Sequence, residues 1–387
     1  MLHATQVTLS KRVLAHLDAK TTDTTATLAH NDITAFTSPD RAAREWEQLF
    51  LGRPQYLGLS CQIRGVGDYL TNDDLGVPIL MTRDEAGKAR AFLNVCRHRG
   101  ARLVDGCGKT GRSFSCPYHG WTYDTSGQLI GIPDRRNFDG VQEATYGLRE
   151  LPLEERHGML WVAPRPEIAA SPNPELEGLD EELASYGFGE YHHYKTHARR
   201  WKMNWKIAID TFLEPYHFPV LHKNTVGPVF FPNLCVVDGF GQNLREVLPR
   251  RSIVEMHHQA EADWDLVEHS AIVYVLFPNI VVVVQIDHHE IWRIYPVGGK
   301  ADECMVYLEF YIPEPATTDK AVEHWRKNIN LTLRTVETED FPAGEGIQVG
   351  LLSGAQDSIV YGRNEPALQH FEKVVGEAVG ARPLVGE

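Results

Sequence analysis

Cys96-Arg97-His98-Arg99-Gly100 and, further along, Cys116-Pro117-Tyr118-His119-Gly120-Trp121 are the stretches from which the rest of the chain can be read. Each supplies one cysteine and one histidine, as C-x-H and C-x2-H. Thiolates hold ferric iron well, and exchanging two of four thiolates for imidazole on one iron of a [2Fe–2S] cluster gives a Rieske centre of raised potential. Zinc also takes Cys2His2 sets, but its fingers usually pair like with like, C-x2–4-C followed by H-x3–5-H. One Cys and one His per loop suits a binuclear cluster, with both cysteines on one iron and both histidines on the other. A zinc site is the alternative.

The chain of 387 residues is long enough for two or three domains. Apolar residues make up 43% and charged residues 23%, an ordinary globular balance. A net charge of −14 argues against a nucleic-acid surface, because phosphate binding needs a basic face. The other four cysteines, Cys61, Cys107, Cys235 and Cys304, show no disulfide framework. Free thiols beside an iron–sulfur motif point to a reducing, cytoplasmic setting. Lys11-Arg12 is followed by no apolar run of signal-peptide type. The apolar stretch Ala271 to Ile286 is interrupted by Pro278-Asn279 and too short to span a membrane.

Residues 1–44 read as an N-terminal arm, polar over 1–36 with one short helix at most, and Arg41 to Leu51 can form a helix with Trp46, Leu49 and Phe50 inward. Ile79–Thr82 and Ala89–Val95 flank Asp84-Glu85-Ala86-Gly87, a hairpin turn. Ser113 to Tyr123 is strand-like on either side of the second ligand loop, Asp124-Thr125-Ser126-Gly127 is another turn, and Gly158–Ala163 is a strand. A small all-β domain over 45–165 thus presents the four ligands from two hairpin tips. Four prolines between Ala163 and Glu177 mark a boundary. The remainder, 166–387, reads as α+β. Asn204–Tyr216 forms a helix, and Ala271–Phe277, Ile280–Ile286, Ile291–Tyr295 and Cys304–Ile312 form an antiparallel sheet. Val322, Trp325, Ile329, Leu333 and Val336 share one helical face. A last helix follows Asn364-Glu365-Pro366, with Leu368, Phe371 and Val375 inward.

A second constellation lies in Asp210-Thr211-Phe212-Leu213-Glu214-Pro215-Tyr216-His217-Phe218-Pro219-Val220-Leu221-His222. Two histidines five apart diverge by about 140° on an ideal helix. Pro219 breaks that helix and lets His222 swing back beside His217. Two histidines and a carboxylate with open positions make the facial triad of non-haem Fe(II) oxygenases. The chain holds 18 histidines, so the pair alone is a moderate signal, and His192-His193, His257-His258 and His288-His289 are equally conspicuous.

In this order, the two constellations resemble the catalytic α subunit of Rieske non-haem iron oxygenases, the ring-hydroxylating dioxygenase and demethylase family. The resemblance rests on Cys96, His98, Cys116, His119 and Gly120-Trp121, on Asn204-Trp205-Lys206, on the Tyr216-His217-x4-His222 block and on a C-terminal acidic motif. It covers roughly residues 45–375. It implies an all-β [2Fe–2S] domain and a catalytic domain of antiparallel sheet packed with helices. It implies His217, His222 and Asp340 as ligands of a mononuclear Fe(II), with Glu345 as the acidic residue that follows and Asp357 and Glu339 as rival ligands. Asp340 is expected on a loop just past the 319–337 helix. By position Glu214 hydrogen-bonds His217 and bridges it to His119 of the next chain. Most members have Asp there, and Glu is similar to the subgroup that includes carnitine oxygenase. Asp210 either supports this network or packs the helix.

The resemblance further implies a head-to-tail homotrimer, a separate NAD(P)H-dependent reductase, possibly with a ferredoxin, and O2 as co-substrate. The chain would hydroxylate, dihydroxylate or demethylate a small organic, aromatic substrate. Alternatives are an oxygenase acting on a quaternary ammonium compound and a Rieske electron carrier without catalytic iron. Gly65-Val66-Gly67 and Gly239-Phe240-Gly241 lack the third glycine of a dinucleotide fingerprint, so the nicotinamide should bind elsewhere. Phe212, Phe218, Phe230, Phe231, Val275, Phe277 and Val283 are the expected pocket, with Arg245 and Arg293 as candidates for holding a substrate carboxylate.

Overall fold

A computed structural model of the chain describes residues 1–168 and 174–386. The chain forms two compact units: Phe50–Pro174 with Gly187–Tyr191, and Met1–Leu49 with Glu175–Tyr186 and everything from His192 onward. Residues 169–173, part of the proline-rich boundary stretch, lie outside the described residues.

The first of these units is all β. Its five-stranded sheet runs in the order Glu150–Leu151, Ala89–Leu93, Ile79–Arg83, Asp68–Asn72, Cys107–Lys109. Two three-stranded sheets complete it, one of Leu153–Arg156, Met159–Val162 and Gln55–Leu59, the other of Ser113–Ser115, Thr122–Asp124 and Leu129–Gly131. Both expected turns are present, and each is organised by an aspartate. Asp84 Oδ1 accepts the N–H groups of Ala86 at 2.9 Å and Lys88 at 2.8 Å, and Asp124 Oδ1 accepts those of Ser126 and Gln128, both at 2.9 Å. Gly127, at φ 84°, closes the second turn, where a Cβ would meet the Phe92 ring at 2.4 Å. The second ligand loop tips the hairpin of Ser113–Ser115 and Thr122–Asp124. The first does not tip a hairpin, contrary to expectation. It joins Ala89–Leu93 to Cys107–Lys109, which are not neighbours in their sheet.

The other unit is built on a seven-stranded antiparallel sheet. Its order is His192–Trp201, Cys304–Ile312, His289–Pro296, Ile280–Val284, Ser270–Leu276, Asn243–Pro249, Val236–Phe240. Every residue of Ser270–Leu276, Ile280–Val284 and His289–Pro296 is buried, which explains their near-continuous apolar runs. The helix Asp319–Thr335 buries Trp325 and Ile329, and Pro366–Ala378 buries Leu368, Phe371 and Val375 as its spacing predicts.

The polar N-terminus departs from expectation. His3–Ala19 is a 17-residue helix, and Ala29–Asp32 is the central strand between Ser358–Tyr361 and Val385–Gly386. The helix buries only Leu9, Ser10, Val13 and Leu14, too narrow a stripe to read as amphipathic. Arg12 fixes it by pairing with Asp23 at 2.8 Å and Asp238 at 2.6 Å. Among the described residues no helix is long and apolar enough to cross a membrane.

Candidate metal centres

The two ligand loops of the all-β unit share one design. Cys96 N–H donates to Ala101 O at 2.8 Å and Gly100 N–H to Cys96 O at 3.0 Å. Cys116 N–H donates to Trp121 O at 2.8 Å and Gly120 N–H to Cys116 O at 2.9 Å. Gly100 and Gly120 hold φ of 80° and 69°, a left-handed geometry that lets each loop close behind its histidine. Asn94 ties down the first loop through Val104 O at 2.7 Å and Leu103 N at 3.2 Å.

The side chains meet in like pairs, Cys96 with Cys116 and His98 with His119. Cys96 and Cys116 are buried, and the rings of His98 and His119 lie 4.7 Å apart. His98 stacks on Trp121 at 4.9 Å, with 6° between the planes. The Nδ1 atoms of both histidines are buried and have no hydrogen-bond partner. Orphaned ring nitrogens are costly unless something binds them, and beside two buried thiols they fit a cluster. Tyr123 Oη lies 3.4 Å from Cys96 Sγ and accepts from Arg97 N–H at 2.9 Å. Burial raises the Cys96 thiol above its ordinary value, and burial followed by His119 lowers His98. The lowered His98 favours the neutral, metal-ready imidazole, whereas the raised thiol means that Cys96 gives up a proton when a metal binds.

In the other unit, Asn204 sets the start of the second constellation. Its side chain caps the helix Trp205–Asp210 by accepting from Lys206 N at 3.0 Å, and its amide donates to Ala301 O at 2.7 Å. Lys206 is fully buried and grips Glu45 at 2.9 and 3.0 Å, and Trp205 Nε1 donates to the same carboxylate at 2.9 Å. The helix stops at Asp210 rather than running to Tyr216. Pro219 acts differently from expectation: it sits in the first turn of a separate short helix, Phe218–Leu221, flanked by His217 and His222. The chain therefore breaks before His217, and the two histidines bracket a single turn.

His217, His222 and Asp340 form one group whose ligand atoms lie within 4.8 Å of one another. The two Nε2 atoms are 3.0 Å apart, and Asp340 Oδ1 is 3.0 Å from Nε2 of His222 and 3.4 Å from that of His217. Despite these short distances Asp340 Oδ1 accepts no well-oriented hydrogen bond. The Nδ1 atoms point away to carboxylates: His217 Nδ1 to Glu214, and His222 Nδ1 to Glu339 at 2.6 Å. In a neutral ring each carboxylate would keep the proton on Nδ1 and leave Nε2 to a metal. Two lone pairs and a carboxylate crowded together fit a cation. In the metal-free protein burial lowers His217, but Asp340 and Glu214 outweigh it and hold the ring up to about 9. His222 is raised in the same way, with Asp340 and Glu339 overcoming burial.

Asp340 reaches this group from a helix, not from a loop. Helix Asp319–Thr335 passes through a π turn, Val336–Asp340, into Phe341–Leu352. π turns recur at functional sites. Of the rival ligands, Glu339 holds the outer face of His222 and also accepts from Thr225 Oγ1 at 2.6 Å. Asp357 is exposed, outside the group. Glu345 accepts from Lys202 N–H at 2.9 Å. Asp210 lines, with Glu214 and His217, a cavity of 520 Å3. Its Oδ1 is buried without a partner, and burial followed by Glu372 raises its carboxyl well above the ordinary range.

A separate cavity of 240 Å3 is walled by His222 and Asp340 and by Phe212, Phe218, Phe230, Val283 and Trp292. Phe231, Val275 and Phe277 do not line it. Arg245 is committed to Glu182 and Asp238, and Arg293 to Glu309. The arginine in the wall is Arg250, which follows the Asn243–Pro249 strand. A charged residue just past a strand end reads in sequence as solvated, and nothing there signals an inward side chain.

Comparison with known proteins identifies both domains. The Rieske [2Fe–2S] domain model matches residues 54–151, and that of the ring hydroxylating alpha subunit (catalytic domain) matches 188–381. These two domains together define the catalytic α subunit of a Rieske-type oxygenase. The chain belongs to the Rieske-type ring-hydroxylating oxygenase α-subunit family. It is 28% identical over 271 residues to the biphenyl 2,3-dioxygenase subunit alpha of Rhodococcus jostii (strain RHA1), covering 67% of this chain and 55% of that subunit. It is 26% identical over 349 residues to the chloroplastic choline monooxygenase of Beta vulgaris, covering 87% of this chain and 74% of the relative. A crystal structure of a quaternary ammonium Rieske monooxygenase in complex with an inhibitor superposes with a TM-score of 0.78 at 20% identity, covering 91% of this chain and 96% of that one. At that identity the likeness concerns the fold.

Proposed function

We propose that the chain is the terminal oxygenase component of a multicomponent system. It uses O2 and electrons from a separate NAD(P)H-dependent reductase to hydroxylate, dihydroxylate or demethylate a small organic substrate. Cys96, His98, Cys116 and His119 would hold the [2Fe–2S] cluster, and His217, His222 and Asp340 the mononuclear iron. When bound, the cluster supplies one-electron transfer and the iron supplies O2 activation. The observation that carries the reading is the His217–His222–Asp340 group opening on an apolar cavity.

The protein's own residues position and gate. Glu214 and Glu339 lock the imidazole tautomers, Phe218 and Phe230 keep the cavity wall apolar, and Trp121 braces His98. Glu214 would also link His217 to His119 of a neighbouring subunit in a head-to-tail trimer. Exposed side chains beside both positions support this: Tyr118 is 58% exposed, Tyr216 61% and Val220 77%. Asp210 is read as a neutral, buried support for the helix. A cytoplasmic location belongs to the same reading. An electron carrier would leave the catalytic-domain match over 188–381 unused. A quaternary ammonium substrate is the second reading, favoured by the choline monooxygenase relative and by Glu rather than Asp at 214.

Iron analysis of the purified protein tests the assignment. About three irons per chain are expected, two in the cluster and one mononuclear, whereas a carrier holds about two. A red-brown protein with only the cluster irons and no substrate-stimulated O2 uptake would overturn it.

A further inference from the structure

Arg250 is only 9% exposed and walls the same cavity as His222 and Asp340. All its acceptors are neutral. Nη1 donates to Val267 O at 3.1 Å, to Glu268 O at 3.3 Å and to Ser270 O, and Nη2 donates to Gln285 Oε1 at 2.6 Å. Nε and the second Nη2 hydrogen have no acceptor among the described residues, and no carboxylate there pairs with it. Burial lowers its pKa to about 10, so it stays cationic at neutral pH.

The nearby acids are already committed. Glu290, also in the wall, accepts from Thr332 Oγ1 at 2.7 Å and lies 3.4 Å from His288 Nε2. Asp287 contacts His288 and His324, each at 2.8 Å. Among the described residues neither acid pairs with Arg250: both are turned to His288, and Asp287 acts on the guanidinium only through its charge at longer range. A buried charge with neutral partners is costly, and a carboxylate approaching the planar guanidinium relieves that cost with short, paired hydrogen bonds. Gln285 adds to this, because its Oε1 is engaged by Arg250 and its Nε2 donors are uncommitted among the described residues.

Register explains the placement. Pro249 pairs with Ser270 and Ile272 with Val284, so Arg250, Ser270 and Gln285 gather at one end of three adjacent strands. We infer that Arg250, with Gln285, binds the carboxylate of the substrate, while the apolar body of the same molecule lies against Phe218, Phe230 and Val273. The substrate class is thus an organic acid, either an aromatic carboxylate or a zwitterion pairing a carboxylate with a quaternary ammonium head. A bare cation would leave the Arg250 donors unmet and set a second positive charge beside them. This rests on the oxygenase reading for the term substrate, but its test does not use turnover.

Calorimetric titration of the iron-loaded full chain with two matched pairs decides it: benzoate against benzamide, and glycine betaine against choline. At least one carboxylate should bind roughly 10- to 100-fold more tightly than its partner lacking the charge. Arg250→Gln should remove that advantage while cluster absorption and iron content stay unchanged. Because Arg250 also holds the 267–270 carbonyls, Gln285→Met is the second variant, expected to weaken the carboxylate several-fold and its neutral or cationic partner not at all. Equal binding within both pairs, no saturable binding of either carboxylate, or unchanged affinity in both variants overturns the inference. Intact carboxylate binding without substrate-stimulated O2 uptake would instead refute the oxygenase reading and leave the anchor standing.

Discussion

Glu339 and Glu214 each take the Nδ1 of one histidine, which makes their removal different from removal of a ligand. Asp340→Ala should abolish mononuclear iron binding and leave cluster absorption intact, as separate assays of iron content and visible spectrum would show. Glu339→Ala should keep the site but weaken it, by roughly 10- to 100-fold in Fe(II) affinity, since the outer partner sets ring orientation and basicity. Unchanged affinity in Glu339→Ala would mean that Thr225 and packing orient His222 without it. The proposed cluster ligands were legible because Cys and His recur in pairs at short spacing. Glu339 was visible only as a rival to its neighbour, because adjacent acids differ in sequence by nothing that fixes which one faces inward. Arg250 was missed for a similar reason: the direction of a side chain past a strand end is set by tertiary register.

At the scale of elements, Asn204-Trp205-Lys206 anchors the helix that leads to the metal histidines. The buried Lys206–Glu45 pair is part of that anchor, with Arg41 at 2.8 Å and Trp205 sharing the carboxylate. Removing one partner of a buried pair leaves the other uncompensated. Lys206→Met should therefore cost roughly 3 kcal/mol of stability, read from denaturant midpoints. No loss would mean that Arg41 alone balances Glu45. The sheet strands and the two long C-terminal helices were readable from apolar runs and helical spacing. The N-terminal helix and the Ala29–Asp32 strand were not, because their sequences carry little periodic apolar signal and both are ordered by distant partners, the helix through Asp238 and the strand through Ser358–Tyr361. The Pro219 region was half legible, since proline does not say whether it ends one helix or begins the next.

At the scale of the whole molecule, metal and proton are coupled. His217 rises from 6.5 to about 9 in the metal-free protein, so it contributes stability that is fully present below its unfolded value and lost as pH rises through about 9. Iron needs the neutral ring, so binding releases protons. Fe(II) affinity should climb with pH up to about 9 and level off above. A flat profile, measured by titration at pH values across that window, would show that the histidines are not protonated before loading. The trimer reading makes a separate prediction. Mixing Asp340→Ala chains, with intact clusters, and Cys116→Ala chains, with intact iron sites, should restore oxygenation after subunit exchange. Each alone should be inactive. A mixture as inactive as its components would confine electron transfer to one chain.

The π turn at Val336–Asp340 makes this protein sensitive to length where it is tolerant of identity. Phe341 N–H bonds to Val336 O, five residues back, so the turn holds one residue more than an α turn. Thr338 is exposed there, with its hydroxyl on Arg334 O at 2.7 Å, and most replacements should pass unnoticed. Deleting it would let the helix close into a continuous α ladder and rotate Asp340 by about 100° relative to the preceding helix. A substitution scan would score this position as dispensable, whereas a single-codon deletion there would cost the mononuclear metal.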